Sequence, residues 1–216
     1  MTLKHPNESA ARPADRLVSL GPAGIALGRV ATNVADAGIS ALGAMIRASV
    51  ALKTQRIYDA KHYAPIFPQV PMRDRLVVVS QRLKVRNQDA GRMLMIMSLD
   101  RALALSALIA GWNGPLDSDL HEADADAIKE LANILLGRCL DALSEVITLK
   151  PKPSLPTLVQ GPTGMITTSL RPSPNAICIE TCLSTSTREV ELTLLATLDC
   201  SLLRQATAGT GGNAEL

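Results

Sequence analysis

Glu130, Asn133 and Gly137 stand three and four residues apart in DADAIKELANILLGRCLDALSE, residues 124–145. At 100° per residue they share one helical face with Asp126 and Asp141, while Ile128, Leu131, Leu135, Cys139, Ala142 and Val146 share an apolar one. Asn is a poor helix former and an interior Gly costs about 1 kcal/mol relative to Ala, so an exposed stripe has better choices at both places. The polar stripe is therefore a candidate working surface. A primary amide can hold a water in fixed orientation without adding charge. A carboxylate one turn away can pair with a cation on a partner, and a glycine beside the amide lets a partner backbone come close. The plain alternative is a solvated helix face with Gly137 accommodating a packed neighbour.

The elements that must position this helix occur twice in the same order. The first half reads as a helix over Gly24–Ala51, strands over Leu76–Val85 and Arg92–Leu99, and a short helix, ALALSALIAG. The second begins with the candidate helix and continues through KPKPSLPTLVQGPTG to strands over Ala176–Ser186 and Glu189–Leu198 and a short helix, DCSLLRQ. Leu42 aligns with Leu143 at an offset of 101, and Leu76 with Ala176 at 100, the signature of an internal duplication. A duplicated helix-strand-strand-helix unit predicts an α+β fold: one continuous antiparallel sheet with two long helices on one face, related by a pseudo-twofold axis. The irregular stretch from Pro151 to Pro174 lies inside the repeat and is not read as a linker. Residues 1–18 read as a disordered arm, 19–205 as the domain (halves 19–115 and 116–205), and 206–216 as a flexible tail.

Composition excludes several functions. A formal net charge of +2 and four aromatics, Tyr58, Tyr63, Phe67 and Trp112, give no basic patch interleaved with stacking rings, so nucleic acid is not an expected partner. Cys139, Cys178, Cys182 and Cys200 form no CxxC pair, and His5, His62 and His121 lie far apart, so no metal site is expected. The cysteines read as small buried residues in a reducing compartment. The N-terminus has no apolar h-region, and the run from Ala102 to Trp112 is too short to span a bilayer. The expected location is the cytoplasm, without membrane insertion.

The pattern Asp126-x3-Glu130-x2-Asn133-Ile134-x2-Gly137, followed by Ala142-Leu143-Ser144, resembles the signature helix of the CheC/CheX/FliY family of chemotaxis phosphatases, which also resemble the middle domain of the flagellar switch protein FliM. The resemblance spans roughly residues 20–205 and includes the duplication. It implies dephosphorylation of the phospho-aspartate of a CheY-type response regulator. Glu130 would engage the regulator's lysine and the Asn133 amide would position the attacking water, with Asp126 and Gly137 in supporting roles. It implies no cofactor in this chain, Mg²⁺ being carried by the partner regulator, and it leaves open a CheD-type deamidase as a second partner. The chemistry suits these side chains, because phosphoryl transfer asks a protein mainly to position a nucleophile and manage charge. A carboxylate at 133 would repel the phosphoryl group where an amide does not. The competing reading keeps the fold without catalysis, as an adaptor binding a regulator or signalling partner.

The first long helix departs from the pattern. Aligning Ala41-Leu42 with Ala142-Leu143 sets Arg29 at the position of Glu130, Thr32 at that of Asn133 and Asp36 at that of Gly137. A shift of one residue matches Asn33 with Asn133 but sets Val30 opposite Glu130 and Gly43 opposite Leu143. The first register keeps the apolar positions aligned and is preferred. Both lack the carboxylate, and Arg29 reverses its charge, so Arg29, Thr32 and Asn33 are expected to mark a degenerate first site.

Overall fold

The central seam of the sheet joins the two halves of the chain. A computed structural model describes residues 22–62, 74–147, 150–186 and 190–201; the expected N-terminal arm and tail lie outside these residues, as does all of DCSLLRQ after Ser201. In chain order the elements are α1 (Pro22–Ile46), β1 (Val50–Asp59), a 3₁₀ turn (Ala60–His62), β2 (Arg75–Val85), β3 (Gln88–Ser98), α2 (Leu99–Ala110), α3 (Glu122–Val146), β4 (Lys152–Pro153), β5 (Thr157–Pro162), α4 (Thr163–Ser169), β6 (Ala176–Thr185) and β7 (Glu191–Asp199). The strands form one antiparallel sheet in the order β1-β6-β7-β3-β2-β4, with β5 also on β2.

The duplication is written into the strand register. Across the seam Leu94 of β3 faces Leu195 of β7, 101 residues on, and an antiparallel pair related by a twofold axis sets a residue opposite its own mate. Ser80 pairs with Leu94 and Glu180 with Leu195, so β2 and β6 are mates at an offset of 100. Both sequence offsets thereby have a structural cause. The exposure of α1 repeats that of α3 at 101: Val30, Val34 and Leu42 are buried like Leu131, Leu135 and Leu143, and Arg29 and Thr32 are exposed like Glu130 and Asn133. The preferred register of the first helix is thus the one the fold uses.

The long helices α1 and α3 pack together over one sheet face. At their crossing Gly38 lies beside its mate Cys139; a methyl there would stand 3.0 Å from Leu194 Cδ1 and 3.7 Å from Cys139 Sγ. The core under the helices takes Val77, Val79, Leu83, Met93, Met95 and Ile179 from the sheet. The other face, with Leu76, Val78, Leu94 and Leu195, is packed by Ile166 and Leu170 of and after α4, so β2 is buried on both sides and reads as a continuous apolar run.

The repeating unit keeps the expected order and gains outer strands, β1 in the first half and β4 and β5 in the second. The first helix ends at Ile46 rather than Ala51, and the proline-rich stretch holds β4, β5 and α4. β1 is an outer strand whose residues are mostly exposed or half-buried, so it lacks the strict apolar alternation by which strands are recognised.

Candidate functional site

The start of α3 is fixed by its own first turn. Asp124 accepts from the backbone N–H of His121 at 3.1 Å and from the buried Ser106 hydroxyl of α2 at 2.5 Å, which ties the helix entry to its neighbour. Glu122 and Asp124 complement the positive end of the helix. Ile128, Leu131, Leu135 and Cys139 are buried and Ala142 and Val146 half-buried, and Ala132, Leu136, Leu140 and Leu143 widen the buried face.

That seating turns the polar stripe outward. Glu130 and Asn133 are exposed on successive turns, and Ile134 beside them is 43% exposed, a large apolar side chain on the same open surface. Asp126 is paired within the helix to Lys129 at 2.6 Å. Nothing lies within 4 Å of the methyl that Gly137 lacks, so internal packing does not require a glycine there. Gly137→Ala should therefore raise stability by about 1 kcal/mol; an unfolding midpoint that falls would mean that the glycine serves the fold.

The side chain that orients Asn133 comes from the sheet. Gln81 of β2, 2% exposed, donates from Nε2 to Asn133 Oδ1 at 2.9 Å. The carbonyl of Asn133 is thereby turned inward and its two N–H donors are left for solvent or a ligand. Gln81 lies on the helix-facing side of β2 with Val77, Val79 and Leu83. An amide among aliphatic residues is unfavourable unless bonded, and no other hydrogen bond to a described residue accompanies this one. Sequence reasoning passed over Gln81; its signal was the one polar residue in that alternating apolar set.

Among the described residues the first half builds nothing equivalent. Thr32, at the position of Asn133, donates its hydroxyl to the Gly28 carbonyl of its own helix at 3.1 Å. Arg29 is exposed, and Asn33 is half-buried at the position of Ile134. The sheet mate of Gln81 is Thr181, which accepts from Gln55 at 3.3 Å, while Gln55 also donates to the Ala31 carbonyl at 2.6 Å. Thr181 is thus met by Gln55, and it is Gln55 of β1 that reaches α1, bonding its backbone instead of a side chain at the surface.

The remaining reactive groups are accounted for structurally. Glu180, 4% exposed, accepts from Arg56 at 2.7 and 2.8 Å and from the Tyr58 hydroxyl at 3.2 Å. Burial pushes the Cys139 and Cys178 thiols up to about 12 and Cys182 to about 11, so none is a nucleophile near neutral pH. Among the described residues no cluster of His, Cys, Asp or Glu could hold a metal ion. No described helix is long and apolar enough to cross a membrane.

No family model matches the sequence, and no curated protein matches it closely. The fold, by contrast, is shared with solved structures. FliY from Thermotoga maritima superposes with a TM-score of 0.59 at 14% identity, covering 96% of this chain and 97% of that one. The FliM middle domain from Vibrio alginolyticus gives 0.52 at 14% identity, covering 83% and 96%. CheX from Borrelia burgdorferi, solved in complex with CheY, BeF3 and Mg²⁺, gives 0.52 at 13% identity, covering 78% and 97%. At these identities the likeness is one of fold, and it is the fold that the motif helix implied.

Proposed function

Starting from a fold held in common with CheX, FliY and the FliM middle domain, we propose that this chain dephosphorylates the phospho-aspartate of a CheY-type response regulator through α3 alone. The observation that carries the reading is Asn133: an exposed amide whose carbonyl is locked inward by a buried glutamine. Its outward N–H holds a water by its oxygen, in line with the phosphorus; the water adds, the bond from phosphorus to the aspartyl oxygen breaks, and inorganic phosphate and a free carboxylate leave. Glu130, one turn away, pairs with the regulator's lysine. Mg²⁺ belongs to the regulator and neutralises the phosphoryl oxygens there. The site then works in the cytoplasm, where such regulators act.

The absent methyl at Gly137 fits close approach by the regulator, so Gly137→Ala should lower regulator affinity while it stabilises the free protein. Gln81→Leu removes a buried amide that bonds only an exposed side chain, so folding should hold. Free rotation of the Asn133 amide should then lower kcat about tenfold with KM unchanged. Unaltered kcat would deny Gln81 its orienting role.

The second reading, a non-catalytic adaptor, draws on the FliM-like fold and on the first helix, where Arg29 and Thr32 replace the carboxylate and amide. Binding to a CheY-type receiver carrying beryllofluoride and Mg²⁺ tests the docking both readings need. The protein should prefer the loaded receiver to the unloaded one and lose affinity in Glu130→Ala. Equal binding to both forms would overturn recognition of the phosphoryl site.

A further inference from the structure

The hairpin end of β2 and the short strand beside it carry charge of one sign. Lys84 of β2 and Lys152 of β4 are cross-strand partners, so their side chains leave the sheet on the same face, an arrangement in which like charges destabilise the pair. Arg82 and Arg86 flank Lys84 at alternate positions with Leu83 and Val85 buried between them, and Lys150 precedes Lys152 with Pro151 buried between. The five cations are exposed. Together with Ser154 they line one open cleft of ≈ 500 Å³ that has no carboxylate among its described lining residues. None of the five makes an ion pair with a described residue, and Asp89, opposite Lys84 in β3, is not bridged to it.

Packing gives no reason to gather unpaired cations on the outer face of this edge of the sheet, and an anion relieves their repulsion. We propose that this cleft docks an acidic segment of a protein partner in extended conformation. Alternate residues of an extended chain are about 6.6 Å apart, close to the step from Arg82 to Lys84 along β2, so carboxylates at every second residue meet successive cations, with Arg86 beyond the strand in the hairpin turn. No aromatic side chain among the described residues lines the cleft, so these residues offer no stacking platform of the kind that holds single-stranded nucleic acid. This surface is separate from the Asn133 stripe, and its test reads binding alone.

The full chain is titrated at low salt with a labelled peptide alternating Glu and Ser. Saturable binding that weakens as salt is added is expected. In the variant Lys84→Ala with Lys152→Ala the affinity should fall about tenfold, the product of two exposed charge contacts, while the unfolding midpoint does not drop, because a repulsive pair has been removed. Lys53→Ala with Lys61→Ala removes the same charge elsewhere and should leave binding intact. Absence of binding, equal affinity in the two double variants, or tighter binding of an oligothymidylate or of phosphatidylserine vesicles than of the peptide would overturn the proposal.

Discussion

Asn133→Ala should lower the rate at which this protein discharges a phosphorylated receiver by about a hundredfold or more, the scale attached to losing a positioned reactant, with receiver affinity largely kept. The helix itself should lose no stability, because Asn133 is exposed and Ala is the better helix former. The one bond lost is that from Gln81, which leaves the buried Nε2 without its partner and costs about 1–3 kcal/mol at most. The double variant Asn133→Ala with Gln81→Leu removes both partners and should recover that stability without recovering turnover. Arg29→Ala and Thr32→Ala serve as the control on α1, where neither side chain supplies an amide or carboxylate, and most activity should survive. If the α1 variants lose as much turnover as Asn133→Ala, the assignment to α3 alone is wrong.

Gly91→Ala should be the most damaging Gly→Ala change among the described glycines. Gly91 has φ of 138°, a conformation that residues with a Cβ seldom adopt. An added methyl would also run into the Thr197 carbonyl oxygen on the neighbouring strand. The obstacle is backbone, not a side chain that can turn away, and it lies in the β3–β7 seam that joins the two halves. A loss of about 4 kcal/mol or more is expected, at the far end of single-residue effects. The denaturant midpoint measures it, with Gly137→Ala as the open-space control. A Gly91→Ala protein within about 1 kcal/mol of the parent would show that the seam can shift to admit a methyl.

The sequence disclosed the parts of the molecule whose periodicity survives burial. α3 has an unbroken apolar face, so its outward stripe could be read from spacing, while the roles proposed for Glu130 and Asn133 rest on the resemblance of the motif helix. The 100 and 101 offsets disclosed the pseudo-twofold sheet because mates across the seam keep the same burial. β1 escaped because an outer strand is too exposed to alternate, and β5 because prolines surround it. The interaction that orients Asn133 joins residues 52 positions apart, and no local pattern encodes such a pairing. Even so, one amide among Val77, Val79 and Leu83 was visible as a polar residue in an apolar row. The choice between two registers for the first helix rested on apolar alignment, and exposure along α1 now places Thr32, with its hydroxyl spent on Gly28, where the amide would have to be.

The central claim is that this chain accelerates the hydrolysis of a receiver phospho-aspartate. Single-turnover decay of a phosphorylated CheY-type receiver, followed with Mg²⁺ present and the purified protein in saturating excess, tests it most directly. Decay well above the receiver's own rate is expected, with saturation in protein concentration and loss of the acceleration in Asn133→Ala. Decay at the receiver's own rate while the two proteins are shown to be bound would contradict it and leave the adaptor as the function of this fold.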